Sequence, residues 1–130
     1  YANLETNFLL QRLETFEGIL IVTTNAGERI DGAFQRRMDI VVEFRPPDQT
    51  ERQAIWSLHL PEAHAVDPRV LQDVIARCTM TGGQIRNASV FASMLALNNG
   101  GIIGTEYLVR AVQREYRKIG AVCPLRTKNI

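Results

Sequence analysis

The chain reads ILIVTTN at residues 19–25 and IVVEFRPPD at residues 40–48, and these two segments predict its fold class. Each begins with a short, unbroken apolar run rich in β-branched residues, which is typical of a strand buried on both faces in a parallel sheet. The paired prolines in the second segment end its apolar run, and no strand pattern follows them. The sequence therefore predicts an α/β part as far as residue 45 and a helical part beyond it.

Helical patterns surround these two segments. Apolar residues at helical spacing predict an amphipathic helix over residues 3–15, and Asp31 can cap a short helix that ends near Arg36 or Arg37. Beyond the prolines the pattern predicts four helices: one begun by a capping box at residues 48–51, one begun by Asp67-Pro68, one opened by Gly82-Gly83, and one capped by Thr105. The predicted fold has two parallel-type strands with helices, then an all-α four-helix part, and is mostly α overall.

The length of the chain and the residues at its ends indicate how it is divided into parts. A chain of 130 residues suits one domain, or one small domain with a piece of another. We expect a first part over residues 1–45, a helical part over residues 46–120 and a loose tail over residues 121–130. The first residue is Tyr1 rather than Met, and it opens directly into helical pattern, so we expect natural sequence upstream of it.

Composition narrows the classes of function. Hydrophobic residues make up 45% of the chain and charged residues 22%, as in globular proteins. The net charge of +1 gives no support for a nucleic-acid partner. No apolar run approaches the roughly 20 residues of a membrane helix, and no signal peptide is visible. Cys78 and Cys123 are far apart and lack metal-ligand spacing, so we expect a cytoplasmic protein with reduced thiols, no metal site and no membrane partner.

Polar residues follow the first predicted strand. Asn25 comes directly after it, where ligands of open parallel sheets bind, and its amide can orient a water against a phosphate oxygen. Arg36 and Arg37 end the short helix, and guanidinium groups stabilise a transferring phosphoryl group. Taken singly, each has an ordinary structural explanation. Asn25 can simply begin a turn, and Arg36 and Arg37 can be surface arginines that pair with Asp39 or Glu43.

A second phosphate-binding pattern begins the third helix of the helical part. Paired glycines at a helix start leave backbone N–H groups open to an anion, here Gly82 and Gly83. Arg86 is expected in the first turn, where a cation opposes the helix dipole, so a plain helix favours an acidic residue there. The ordinary alternative is an interhelical turn with an exposed arginine.

Together, these residues resemble AAA-type ATPases in order and spacing. Residues 24–56, with Thr24-Asn25, Arg36-Arg37 and the Pro-Asp pair after the second predicted strand, resemble the second region of homology of that family. Residues 83–86, Gly-Gln-Ile-Arg, resemble the sensor 2 motif of the wider AAA+ superfamily. The resemblance covers residues 3–118. Many AAA relatives have Gly-Ala-Asp where this chain has Gly82-Gly83-Gln84, and they lack a sensor 2 arginine.

The resemblance implies a role for each residue of the pattern. Asn25 corresponds to sensor 1, which places the attacking water near the γ-phosphate. Arg36 and Arg37 correspond to arginine fingers that act on ATP held by a neighbouring subunit. Gly83 and Arg86 correspond to sensor 2, which contacts phosphate in its own subunit. The fold implied is a P-loop NTPase remnant followed by a helical lid.

The resemblance also implies what this sequence lacks. It contains no GxxxxGK[ST] phosphate loop and no apolar strand ending in Asp-Glu, which bind ATP and Mg²⁺ in the family and precede the segment matched here. The whole protein is expected to be an ATPase that works as a homo-hexameric ring and remodels protein substrates or complexes. This chain alone is expected neither to hydrolyse ATP nor to bind it tightly. The phosphate-loop strand belongs between the two predicted strands.

Two other functions fit the same sequence. One is a nonenzymatic helical binding module that reads DNA with residues 82–98. The near-neutral charge of the chain argues against it, and so does the presence of a single basic residue, Arg86, in that segment. The other is a degenerate AAA scaffold without a working nucleotide site, against which stand the retained Asn25, Arg36 and Arg37.

Overall fold

The structure, a computed structural model, describes residues 2–25 and 32–125. The chain divides into two compact units, Tyr1–Phe44 and Arg45–Ile130. The described residues form six α-helices and no strand beyond one isolated bridge, so the prediction of a mostly α chain is confirmed. The longest described helix has 15 residues, and no described helix has the length and hydropathy of a membrane span.

The first unit has two helices and no buried residue among those described. Helix α1 is Ala2–Thr15 and helix α2 is Gly32–Gln35. The apolar segments that follow each helix are exposed: the exposed fraction is 91% for Ile19, 80% for Ile40 and 94% for Phe44. Asp31, the predicted cap of α2, lies outside the described residues.

The structure does not show the two predicted parallel strands. Residues 19–24 and 40–44 have no strand hydrogen bonding. The physical reason is that a strand is stabilised by backbone hydrogen bonds to neighbouring strands. Even two strands paired in an isolated hairpin have only marginal stability in water. The phosphate-loop strand that the resemblance places between these segments is not in this sequence. The segments therefore keep their β-type composition without forming a sheet.

The second unit consists of the four predicted helices. They are α3, Gln49–His59; α4, Pro68–Arg77; α5, Gly82–Ala96; and α6, Thr105–Lys118. Two of the predicted caps are confirmed. Asp48 accepts a hydrogen bond from the Glu51 N–H at 2.8 Å and its own N–H donates to the Glu51 carboxylate at 2.9 Å. Asp67 accepts from the Arg69 N–H at 2.8 Å.

The prediction that Thr105 caps α6 is wrong. Thr105 is the first residue of that helix, Gly104 precedes it, and no side chain caps the helix start. The Thr105 hydroxyl instead accepts a hydrogen bond from the Asp67 N–H at 2.8 Å, and the Ala65 N–H donates to the Ile103 carbonyl at 2.9 Å. These bonds join the start of α6 to the start of α4, a long-range pairing that local sequence does not reveal.

Helix α5 packs against both α3 and α6 and carries the centre of the core. Its inward row is Ile85, Ala88, Ala92 and Ala96, all fully buried. Small side chains at one-turn spacing let neighbouring helices approach closely. The other helices contribute the large buried residues, namely Trp56, Val74, Ile75, Leu108 and Val112.

A buried arginine joins three segments of the second unit. Arg52 is only 6% exposed. Its guanidinium donates to the carbonyl oxygens of Ile75 at 2.9 Å and of Pro47 at 3.0 Å, with a longer bond to Ala76 at 3.5 Å. The Ile75 and Ala76 carbonyls belong to the end of α4, where a cation also complements the helix dipole.

The segment after α6 packs against the core as far as residue 125, and the rest of the predicted loose tail, residues 126–130, lies outside the described residues. Gly120 is left-handed, with φ of 67°. The Ala121 N–H donates to the Tyr116 carbonyl at 3.0 Å and the Gly120 N–H to the Arg117 carbonyl at 3.1 Å, which together form a Schellman motif. This turn reverses the chain, so Cys123 and Leu125 pack against the core.

We expect residues 45–130 to fold without the first unit, because all buried residues of the described chain lie in the second unit. Thermal unfolding followed by circular dichroism should give the same Tm for the shortened and full chains. Loss of cooperative unfolding in the shortened chain would show that residues 1–44 contribute to the core.

We expect Arg52→Met to lower the free energy of unfolding by about 2–4 kcal/mol, because it leaves buried carbonyl groups without donors. Urea denaturation measures the change. The matched control is Arg110→Met, which removes an exposed arginine of α6 and should change stability by less than about 0.5 kcal/mol. Equal effects of the two substitutions would contradict a structural role for Arg52.

Candidate functional site

Arg37, one of the two predicted arginine fingers, is held by a residue of α1. Its Nε and Nη2 atoms lie 2.7 and 2.6 Å from the same carboxylate oxygen of Glu14. Its Nη1 donates to the Ala33 carbonyl at 3.1 Å. The two charged side chains are 40% and 53% exposed, so solvent limits the ion pair to about 1 kcal/mol or less. The pair orients the arginine more than it stabilises the unit.

Arg36 has a different environment. It is exposed, and among the described residues its guanidinium makes one hydrogen bond, from Nε to the Gly32 carbonyl at 3.2 Å. Its backbone N–H donates to the same carbonyl, also at 3.2 Å. The side chain is therefore directed by its own helix turn. The two adjacent arginines, which look equivalent in the sequence, therefore have different hydrogen-bond partners in the structure.

Asn25, the predicted sensor 1 residue, is exposed at the end of the first apolar segment. Its amide is not buried in packing, so it is accessible to solvent or to a ligand. The following residues, 26–31, lie outside the described part of the chain.

Gly83 and Arg86, the predicted sensor 2 residues, lie at the start of α5. Thr81 caps the helix: its hydroxyl accepts from the Gln84 N–H at 3.3 Å, and the Gln84 side chain accepts from the Thr81 N–H at 2.8 Å. A methyl group at position 83 would meet no atom closer than 4.0 Å, so packing does not require a glycine there.

The exposed Arg86 corrects one sequence argument. It is the fifth residue of α5, one position beyond the first turn where it was expected. Because the helix dipole acts mainly within the terminal turn, the electrostatic misfit inferred from sequence is weaker than predicted. The arginine nevertheless lies on the side of α5 away from its buried alanine row, accessible to a ligand.

The predicted site residues divide between the units. Asn25, Arg36 and Arg37 belong to the first unit, and Gly83 and Arg86 belong to the second. Among the described residues, no group of three or more His, Cys, Asp or Glu side chains could hold a metal ion. The described part of the chain therefore carries cationic and amide groups suited to phosphate, but no Mg²⁺ ligand set.

Sequence reasoning missed one cluster of chemically active side chains. Cys78 lies in the core at the end of α4, and Tyr116 and Cys123 pack against that core. Burial, reinforced by the Cys123 charge, raises the pKa of Cys78 to about 12. Burial also raises the pKa of Tyr116. The one local signal was Gly120, a helix-ending residue after which the chain turns back towards the core.

Comparison with known proteins identifies no family for this chain. No protein-family model matches it. No curated protein sequence matches it significantly. The roles assigned to the site residues therefore depend on the motifs in the sequence and on the geometry described above.

The pKa shifts predict that the second unit loses stability in alkaline solution. The Cys78 thiol ionises near its usual pKa of 9.0 in the unfolded chain, but only near 12 in the folded protein. Stability is therefore full below pH 9 and falls as the pH rises towards 12. The raised pKa of Tyr116 acts in the same direction.

Under reducing conditions we expect Tm, followed by circular dichroism, to fall as the pH rises from about 9 to about 10.5. The matched variant Cys78→Ala removes one of the two titrating groups and should show a shallower fall. A pH dependence identical in Cys78→Ala and the unsubstituted chain would show that Cys78 does not titrate differently on folding.

Proposed function

We propose that this chain supplies the sensor and arginine-finger half of an AAA-type ATPase, which couples ATP hydrolysis to the remodelling of protein substrates or complexes. The observation that carries the proposal is the end of α2. Among the described residues, the guanidinium of the exposed Arg36 bonds only its own helix turn, while Arg37 is oriented by the Glu14 carboxylate. An arginine that acts on a phosphate of another subunit has to be accessible at a surface.

The two arginines have different roles in this proposal. Arg36 is the finger: its terminal amino groups make no hydrogen bond within the described part of the chain and would form a forked contact with phosphate oxygens of the neighbouring copy. Arg37 is a positioning residue, because its two contacts with Glu14 fix the end of α2 relative to α1. Arg36 would then neutralise charge that develops on the transferring phosphoryl group.

The remaining residues complete the site. Asn25 offers both a donor and an acceptor, so it can hold the attacking water in line with the γ-phosphate. Arg86, with the backbone N–H of Gly83, can bind phosphate from the lid side, since the Thr81 cap uses the N–H of Gln84 and not that of Gly83. Hydrolysis at the phosphate would thereby change the position that the lid prefers.

In the proposal, the rest of the ATP site comes from sequence upstream of Tyr1. The exposed apolar segments at residues 19–24 and 40–44 would become parallel strands once a phosphate-loop strand lies between them. Their exposure supports this, because water-exposed isoleucine and valine runs favour burial. The Mg²⁺ ligands would come from the same upstream part. The working assembly would be a homo-hexameric ring.

The surface of α5 does not favour the alternative of DNA reading. Besides Arg86, its exposed side chains include Val90 and Met94, followed by Leu97 at the helix end. A recognition helix presents polar and basic groups to phosphates and base edges. An exposed face that is mainly apolar fits a protein contact better than a DNA groove.

In a protein that carries the phosphate loop and Asp-Glu strand upstream of this chain, we expect Arg36→Ala to lower the ATP turnover rate by about 10³-fold while nucleotide binding is kept. Arg37→Ala should lower turnover less, and Glu14→Gln should reproduce the Arg37→Ala effect, because both release the same contact. Steady-state phosphate release and nucleotide titration measure these effects. The matched control is Arg110→Ala, which removes an exposed arginine of α6.

A mixing experiment tests whether Arg36 acts between copies. Inactive Arg36→Ala protein should regain turnover when mixed with a second inactive variant whose phosphate-loop lysine is replaced, because the second supplies the arginine and the first supplies the ATP site. Full turnover by Arg36→Ala alone would remove Arg36 from the mechanism. Loss of activity without recovery on mixing would place its action within one copy.

A further inference from the structure

We propose that the exposed side of α5, with the neighbouring edge of α6, is a docking surface for an acidic amphipathic helix of a partner protein. This α5–α6 surface consists of an apolar row, Val90, Met94 and Leu97, and of two arginines of α6, Arg114 and Arg117. All of it lies in the second unit, so the inference does not depend on the proposed ATPase function.

The apolar row follows one side of α5 at helical spacing. Met94 comes four residues after Val90, and Leu97 comes three residues after Met94, so the three side chains project from successive turns on the same side. Their exposed fractions are 49% for Val90, 60% for Met94 and 73% for Leu97. Single exposed apolar residues are common, but an aligned row on one helix forms a continuous patch that favours burial against a partner.

Helix α6 adds cations beside this row. The guanidinium carbon of Arg114 lies 4.4 Å from the centre of the Phe91 ring, and Phe91 follows Val90 in α5. Stacking on a ring keeps the guanidinium N–H groups available at the edge of its plane, where they can donate to a carboxylate. Arg117 is exposed and follows Arg114 by one helical turn. The surface therefore combines an apolar row with two donors that suit anionic groups.

The carboxylate closest to these arginines is already paired. Glu115 is buried, with 3% of its side chain exposed, and its Oε1 atom bonds the Lys118 ammonium group. The same oxygen lies 3.8 Å from Nη1 of Arg114, which is longer than a hydrogen bond. None of the 15 residues of α5 is acidic. The positive potential of Arg114 and Arg117 is therefore not cancelled on this surface.

Charge complementarity indicates the kind of partner. A helix with apolar side chains at i, i+4 and i+7 would cover the row, and carboxylates along one side of it would meet Arg114 and Arg117 in forked contacts. An extended peptide would need a sheet edge, and the described part of the second unit has no strand. An anionic membrane would need a wider apolar face, because interfacial binding strengthens with the apolar area buried.

The test titrates the full 130-residue chain into fluorescein-labelled designed peptides and follows their fluorescence anisotropy. The acidic peptide is a helix with leucines at i, i+4 and i+7 and glutamates along one side. Two matched peptides have lysines in place of the glutamates, or the same residues in scrambled order. We expect the acidic peptide to bind with a micromolar dissociation constant and both matched peptides to bind at least about tenfold more weakly. Added KCl should weaken binding of the acidic peptide.

Substitutions test the two parts of the surface separately. Met94→Glu and Arg117→Glu should each weaken binding of the acidic peptide by about tenfold or more. Arg117→Glu should also bind the lysine peptide more tightly than the unsubstituted chain does. The matched controls are Leu58→Glu on α3 and Arg69→Glu on α4, which change exposed residues outside the surface. They should leave binding within about twofold of the unsubstituted chain.

Amide chemical shifts of the ¹⁵N-labelled, unsubstituted chain locate the bound peptide without any substitution. We expect the largest changes at residues 90–97 and 114–117. Absence of binding, binding that leaves these shifts unchanged, or binding that Met94→Glu does not weaken would overturn the proposal. So would binding to phosphatidylserine vesicles but not to the acidic peptide, which would indicate a membrane contact. Self-association in sedimentation experiments that Met94→Glu abolishes would instead assign the surface to a second copy of the chain.

Discussion

Burial of the alanine row of α5 against α3 and α6 is the constraint on which the second unit depends. Ala88, Ala92 and Ala96 allow close helix contact, and Ile85 extends the row to the helix start. Because this face of α5 is buried, the side chains on its other side, including Arg86, are exposed. The start of α5, capped by Thr81, is thereby attached to the core.

The first unit shows the opposite situation. None of its described residues is buried, although its sequence contains the most apolar segments of the chain. The ion pair between Glu14 and Arg37 joins its two helices, but an exposed ion pair cannot replace a core. Residues 19–24 and 40–44 therefore leave isoleucine and valine side chains in water, where apolar surface is unfavourable.

The candidate site was only partly predictable from sequence. The sequence showed Arg36 and Arg37 as two equivalent basic residues, but only the structure shows that Arg37 pairs with a residue 23 positions away. The packing of Cys123 against the core that contains Cys78 was missed for the same reason: the two residues lack motif spacing, and the turn after α6 returns the chain to the core. Interactions between residues distant in sequence leave no local pattern.

Local signals in the sequence determined the four helices of the second unit and two of their starts. The capping box at Asp48 and the cap and proline at Asp67-Pro68 act within one helical turn, so they operate wherever the rest of the chain lies. Tertiary structure decided what those signals could not: that Thr105 bonds Asp67, that Arg52 caps α4, and that residues 19–24 form no strand. Each of these outcomes depends on a partner supplied, or not supplied, by a distant part of the chain, because strands and buried charges are stable only with their neighbours in place.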